Sequence, residues 1–169
     1  MRSRTFVIVV LLFVLALPVF ADSAVAAPGA VATSGAAVPA VAGHDPLDFL
    51  GMDMKAVSDS LGVPQDMFSF RGSDDSRDSV VFYYPDHVYL FWYKDRVWQV
   101  RYDKRYTDPV RGFTLGMTMA QAQAAATQTL VPNGDSLYFD INERAWPVRV
   151  RLLFTGDILT DVYVYRSDF

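Results

Sequence analysis

The stretch Val88-Tyr89-Leu90-Phe91-Trp92-Tyr93-Lys94-Asp95-Arg96-Val97-Trp98-Gln99-Val100-Arg101-Tyr102 constrains the fold more than any other. Bulky residues alternate on both sides of a short polar break at Lys94-Asp95, the pattern of two strands joined by a tight hairpin turn. Side chains two apart share a face of a strand. Val88, Leu90, Trp92, Trp98, Val100 and Tyr102 are therefore expected on a core face. Tyr89, Phe91, Tyr93, Gln99 and Arg101 fall on the other, which is too aromatic for an ordinary solvated surface.

Of the 169 residues, 51% are hydrophobic and 20% charged. The N-terminus reads as a targeting segment. Arg2 and Arg4 precede an apolar run from Phe6 to Phe20, closed by Ala21, which are the parts of a secretory signal peptide. At about 15 residues the run is shorter than the roughly 20 that a membrane helix needs. An uncleaved anchor is the alternative. No cysteine follows, so no lipoprotein anchor is expected, and no thiolate chemistry or disulfide framework either. Residues 1–21 are expected to be removed and the product to reside in the periplasm or cell envelope, without a stable membrane span. The formal net charge is −4, and losing Arg2 and Arg4 makes the remainder more acidic. That argues against nucleic acid as a partner, because phosphate binding needs a basic footprint. Residues 22–43 are Ala, Val, Pro, Gly and Ser with one Thr and one charge, the composition of a linker.

The folded part shows internal similarity. Asp45-Pro46 recurs as Asp108-Pro109, and Leu50-Gly51-Met52-Asp53-Met54 as Leu115-Gly116-Met117-Thr118-Met119. Trp92 to Val97 aligns with Phe154 to Leu159. The expected organisation is two repeats, 44–107 and 108–169. In each, Asp53 or Thr118 caps a short helix. Met54, Val57 and Leu61 make a helical stripe ended by Gly62 and Pro64. Met119, Ala122 and Ala126 repeat it in a helix expected over 118–130. Strands are expected at 67–70, 79–84, 136–141, 148–154 and 158–166, besides the hairpin. The expected fold class is α+β: two tandem helix-plus-antiparallel-meander repeats sharing a sheet, with helices on one face.

By the same parity Val148, Val150, Leu152, Val162 and Val164 point inward, while Arg149, Arg151, Leu153, Asp161, Tyr163 and Tyr165 point outward. The candidate partner-binding residues are Tyr89, Phe91, Tyr93, Arg101, Arg149, Arg151, Tyr163 and Tyr165. Tyrosine and arginine are the types enriched at protein–protein hot spots. The small-ligand alternative, a lipid, sugar or peptide on the same aromatic face, stays open.

The Leu-Gly-Met-x-Met motif, the capped helix ending Leu61-Gly62-Val63-Pro64, and the aromatic hairpin around Lys94-Asp95 resemble the small periplasmic modules of the SmpA/OmlA type. In duplicated form they resemble β-lactamase inhibitor protein, and the similarity covers about 46–166. The resemblance implies a periplasmic, non-catalytic interaction module, an accessory of envelope assembly or an enzyme inhibitor, whose sheet face meets a partner. It departs from both groups in lacking an acceptor cysteine and disulfides.

An enzyme is not expected. His44 and His87 are the two histidines, and no Gly-x-Ser-x-Gly elbow or phosphate-binding glycine pattern occurs. His87 is expected on a strand edge beside Tyr89, and Glu143 in a turn. Arg71 to Asp78 lacks the spacing of a calcium loop. No metal or other cofactor is expected, and the oligomeric state is not specified by the sequence.

Overall fold

The hairpin forms within one sheet to which both halves of the chain contribute. A computed structural model describes residues 43–72 and 78–168. The signal peptide at 1–21, all of the linker except Gly43, and most of the Arg71–Asp78 loop lie outside the described residues. Among the described residues eight strands pair antiparallel in one continuous sheet: β1 (Asp66–Phe70), β2 (Ser79–Tyr84), β3 (Val88–Tyr93), β4 (Arg96–Asp103), β5 (Val131–Asn133), β6 (Ser136–Ile141), β7 (Val148–Thr155) and β8 (Ile158–Arg166). Their spatial order is β1-β2-β3-β4-β8-β7-β6-β5. The helices are α1 (Pro46–Phe49), α2 (Met54–Leu61) and α3 (Met119–Ala125).

This corrects the expected fold class. The described residues form a single sheet-dominated architecture, not two tandem helix-plus-meander repeats. β4 and β8 pair along five residues, from Gln99↔Tyr165 to Asp103↔Asp161, so one ladder runs across the middle and strands outweigh helices among the described residues. The helices, of four, eight and seven residues, are too short to form a layer that matches it.

Local chemistry explains the helix ends. Asp53 accepts the Ala56 N–H at 2.8 Å and starts α2. Gly62, at φ +70°, ends it by donating its N–H to the Ser58 carbonyl at 2.9 Å. Thr118 and Gln121 exchange side-chain-to-backbone hydrogen bonds at 3.2 and 2.8 Å, a reciprocal capping box. The third helix stops at Ala125, short of the expected Leu130, and the chain re-enters the sheet as β5, a strand the periodicity does not announce.

The helices' buried residues Phe49, Val57, Leu61 and Ala122 join Val88, Leu90, Val100, Tyr102, Val150, Leu152, Val162 and Val164 in one core. Each of the valine, leucine and phenylalanine side chains contributes about 1.5–3 kcal/mol by leaving water. Leu50-Gly51-Met52 docks on β4, where the Gly51 N–H donates to the Val97 carbonyl at 2.8 Å. Gly51 has φ +85°, and the indole of Trp146 lies 3.8 Å from where a Cβ would stand.

Parity fails once within the hairpin, at Trp98. The register steps from Phe91↔Gln99 to Trp92↔Val97, so β4 carries one extra residue. This bulge sends Val97 into the core, fully buried, and turns Trp98 out to the opposite face. There its Nε1–H donates to Ser79 Oγ at 3.1 Å. The hairpin turn itself has positive φ at Lys94 (46°) and Asp95 (61°), the two-residue geometry that matches strand twist.

Candidate functional site

The face away from the helices is built from cross-strand rows. In the middle row Tyr83 pairs with Tyr89, Tyr89 with Arg101, Arg101 with Tyr163, Tyr163 with Arg151, and Arg151 with Tyr138. The row crosses β2 to β6 without a break, because the period of two holds on every strand it meets. The Arg101 guanidinium lies 4.8 Å from the Tyr89 ring centre and 5.7 Å from that of Tyr163. The Arg151 guanidinium lies 5.7 Å from Tyr163 and 5.9 Å from Tyr138. Each is within the roughly 6 Å at which ring quadrupoles attract a cation.

Carboxylates fix one end of this row. Arg101 donates through Nε and Nη2 to Asp161 Oδ1 at 2.8 and 2.6 Å. Burial works against the Arg101 charge, but the Asp161 bond and the neighbouring charges outweigh it and raise its pKa. Asp103, almost fully buried, accepts from the Tyr89 hydroxyl at 2.8 Å and from Arg105 Nη2 at 2.7 Å. Burial pushes the Asp103 carboxyl up, yet the Arg105 and Tyr89 hydrogen bonds win and hold it down to about 2. Burial raises the Tyr163 and Tyr165 phenols above their usual range, so both stay protonated donors at neutral pH.

Beside the paired end lies a groove of about 550 Å³. Trp98 and Phe70 stand at one side, Tyr138, Arg149 and Arg151 at the other, with Gln99, Tyr163 and Tyr165 across the floor. The described lining contains three arginines, the third being Arg166, and no carboxylate. Arg149 is paired with Asp140 at 2.7 Å and Arg166 with Asp168 at 2.8 Å, both acids outside the lining.

Of the eight candidate residues, Arg149, Arg151, Tyr163 and Tyr165 line the groove. Tyr89 and Arg101 share the face but sit in the hydrogen-bonded end. Phe91 shares it too, but only 4% is exposed, beneath Phe70 and Trp98, whose rings meet it edge-on at 5.5 and 6.4 Å. Tyr93 lies at the hairpin tip, where it lines a separate recess with Phe70 and Lys94. Sequence reasoning missed Trp98, hidden by the bulge, and Phe70 and Tyr138. Tyr138 was legible, since its neighbours Leu137 and Phe139 alternate with it and are buried.

The remaining polar residues are accounted for. His87 sits in a turn rather than on a strand edge, at φ 63°, with its Nδ1 3.0 Å from the Tyr83 hydroxyl. Glu143 and Asp45 both pair with Arg111, which neutralises that cation within a second cavity of about 650 Å³. Among the described residues no three His, Cys, Asp or Glu side chains gather as a metal site. No helix among them is long and apolar enough to cross a membrane.

No known family profile matches the chain, and no curated protein does. Solved structures do. A cysteine-rich secretory protein from Staphylococcus aureus subsp. aureus Mu50 superposes with a TM-score of 0.50 at 11% identity, covering 75% of this chain and 47% of that one. An extracellular protein containing an SCP domain from Bacillus anthracis str. Ames gives 0.48 at 14% identity with the same coverage. A DUF4309 family protein from Bacillus subtilis gives 0.39 at 15% identity, over 68% of this chain and 78% of that one. The chain spans about half the length of the first two. At such identities the likeness concerns the fold alone. None of these three is of the SmpA/OmlA or β-lactamase inhibitor type.

Proposed function

We propose that this is an exported, non-catalytic binding module that holds a protein partner on the tyrosine- and arginine-lined face of its sheet. The observation that carries the reading is the groove between Trp98 and Arg151, on the side of the sheet that the helices leave uncovered. Half-buried tyrosines and arginines set in such a rigid frame lose little side-chain entropy on docking, which is why these types dominate binding energy at interfaces. Export is supported by the N-terminal pattern, and the Staphylococcus and Bacillus anthracis proteins of similar fold are described as secretory and extracellular. A periplasmic or envelope location, and a role as assembly accessory or enzyme inhibitor, belong to the same proposal.

Photo-crosslinking in the native envelope tests it. p-Benzoylphenylalanine placed at Tyr165, in the groove, should yield a defined protein adduct, and at Gln123 on α3 it should not. Equal adducts from both positions, or none from Tyr165, would overturn the proposal. The groove volume also fits a small ligand. Native mass spectrometry that finds a retained small molecule, with no protein adduct at Tyr165, would favour that reading.

A further inference from the structure

Resting on that reading, we infer that the groove takes an acidic segment of its partner, with one carboxylate side chain seated on Arg151 and an apolar side chain against Phe70 and Trp98. Arg151 differs from its neighbours in what it holds. Arg101, Arg149 and Arg166 each direct two nitrogens to a carboxylate at 2.6–3.2 Å. The Arg151 Nε donates to the hydroxyl of Ser136 at 2.9 Å, and its nearest carboxylate, Asp135, lies 3.8 Å from Nη2, beyond a hydrogen bond. A guanidinium carries five N–H donors. Most of those on Arg151 remain free among the described residues, on a side chain 36% exposed and held between the Tyr138 and Tyr163 rings.

Charge complementarity points the same way. The chain is net acidic, yet the described groove lining is cationic and has no acid of its own. A partner carboxylate would meet a preset planar fork in a partly desolvated setting, where charge-assisted bonds are strongest. The apolar side is set equally firmly. Phe70 is 47% exposed, and Trp98 was turned onto this face by the bulge.

Geometry then fixes the spacing. Trp98 on β4 and Arg151 on β7 are two strand steps apart, because β8 lies between them, and three residues apart along the strands, because Arg151 stands level with Arg101 through Tyr163. Neighbouring strands are about 4.8 Å apart and a strand rises about 3.3 Å per residue, so the two subsites are roughly 10 Å apart in each direction and about 14 Å apart on the diagonal. An extended peptide rises about 3.3 Å per residue, so its apolar and acidic residues should be about four positions apart. A carboxylated glycan would satisfy Arg151 but has no bulky apolar group for Phe70 and Trp98, which is why a peptide is favoured.

The test measures binding of the full chain to two fluorescein-labelled peptides, Gly-Trp-Ser-Gly-Ser-Glu-Gly-amide and its Gln counterpart, by anisotropy. The Glu peptide should bind about tenfold or more tightly than the Gln peptide at low salt. R151M should erase that difference, R151K should restore part of it, and both variants should melt like the wild type. Equal binding of the two peptides, or no binding of either, overturns the carboxylate inference. If Tyr165 still crosslinks to a protein, the docking face stands without it, and if that adduct is absent, the face falls too. Tighter binding of a trigalacturonate probe than of the Glu peptide would overturn the peptide assignment in favour of an acidic glycan.

Discussion

Replacing Asp103 with Asn should destabilise the protein by an amount that depends on pH in a defined way. The Asp103 carboxylate accepts from the Tyr89 hydroxyl, from Arg105 Nε and Nη2, and from the Arg105 backbone N–H, at 2.7–3.2 Å. These bonds outweigh its burial and hold its pKa at about 2, against 3.8 for the free carboxyl. That difference corresponds to about 2 kcal/mol of stability at neutral pH. Because the folded-state value is depressed, the contribution is complete above the unfolded value and is lost as pH falls through the folded one. About half should survive at pH 3 and less than a quarter at pH 2. Urea denaturation of wild type and D103N at pH 7 and pH 3 measures the gap directly, with equal slopes confirming that the midpoint shift reports stability. A gap near zero at pH 7, or one as large at pH 3 as at pH 7, would refute the reasoning.

Two further substitutions test the packing. F91A should cost about 3–5 kcal/mol in a denaturant titration, because Phe91 is nearly inaccessible beneath Phe70 and Trp98 despite facing away from the helices. A cost below about 1 kcal/mol would mean that those rings do not cover it. G51A should lower stability by about 1–2 kcal/mol, since φ +85° is strained for any residue with a Cβ. An unchanged midpoint would show that the Leu50-Gly51-Met52 link to β4 relaxes freely.

Strand parity was readable from the residues wherever one face was buried. Val88, Leu90, Val100 and Tyr102 are buried, as alternation demands, and Asp53 and Thr118 cap helices, as their types suggest. The bulge was not readable, because a single extra residue in β4 leaves no mark in composition and reverses everything on one side of it. Trp98, an ordinary core residue by pattern, became a groove wall for that reason. The burial of Phe91 depends on Phe70 of the edge strand β1, a contact that alternation within one strand cannot express. How far strands outweigh helices was not readable either, because the stripe from Met119 to Ala126 pointed to a helix through Leu130 where the chain instead adds β5. The groove therefore emerged from parts the sequence shows singly, including Tyr138, Tyr163 and Arg151, whose adjacency belongs to the register.

The β4–β8 junction also bears on how the molecule assembles. Every other strand pair joins neighbours in the chain, whereas Arg101 and Asp161 meet from sixty positions apart. Closing so large a loop is entropically slow, so this pairing is the natural late step of folding. The arginine–tyrosine row spans that junction, and its geometry comes into being only when the two sides have met. A chain stalled before that event would carry most of its strands and none of its groove, so the capacity to bind would itself report that folding is complete.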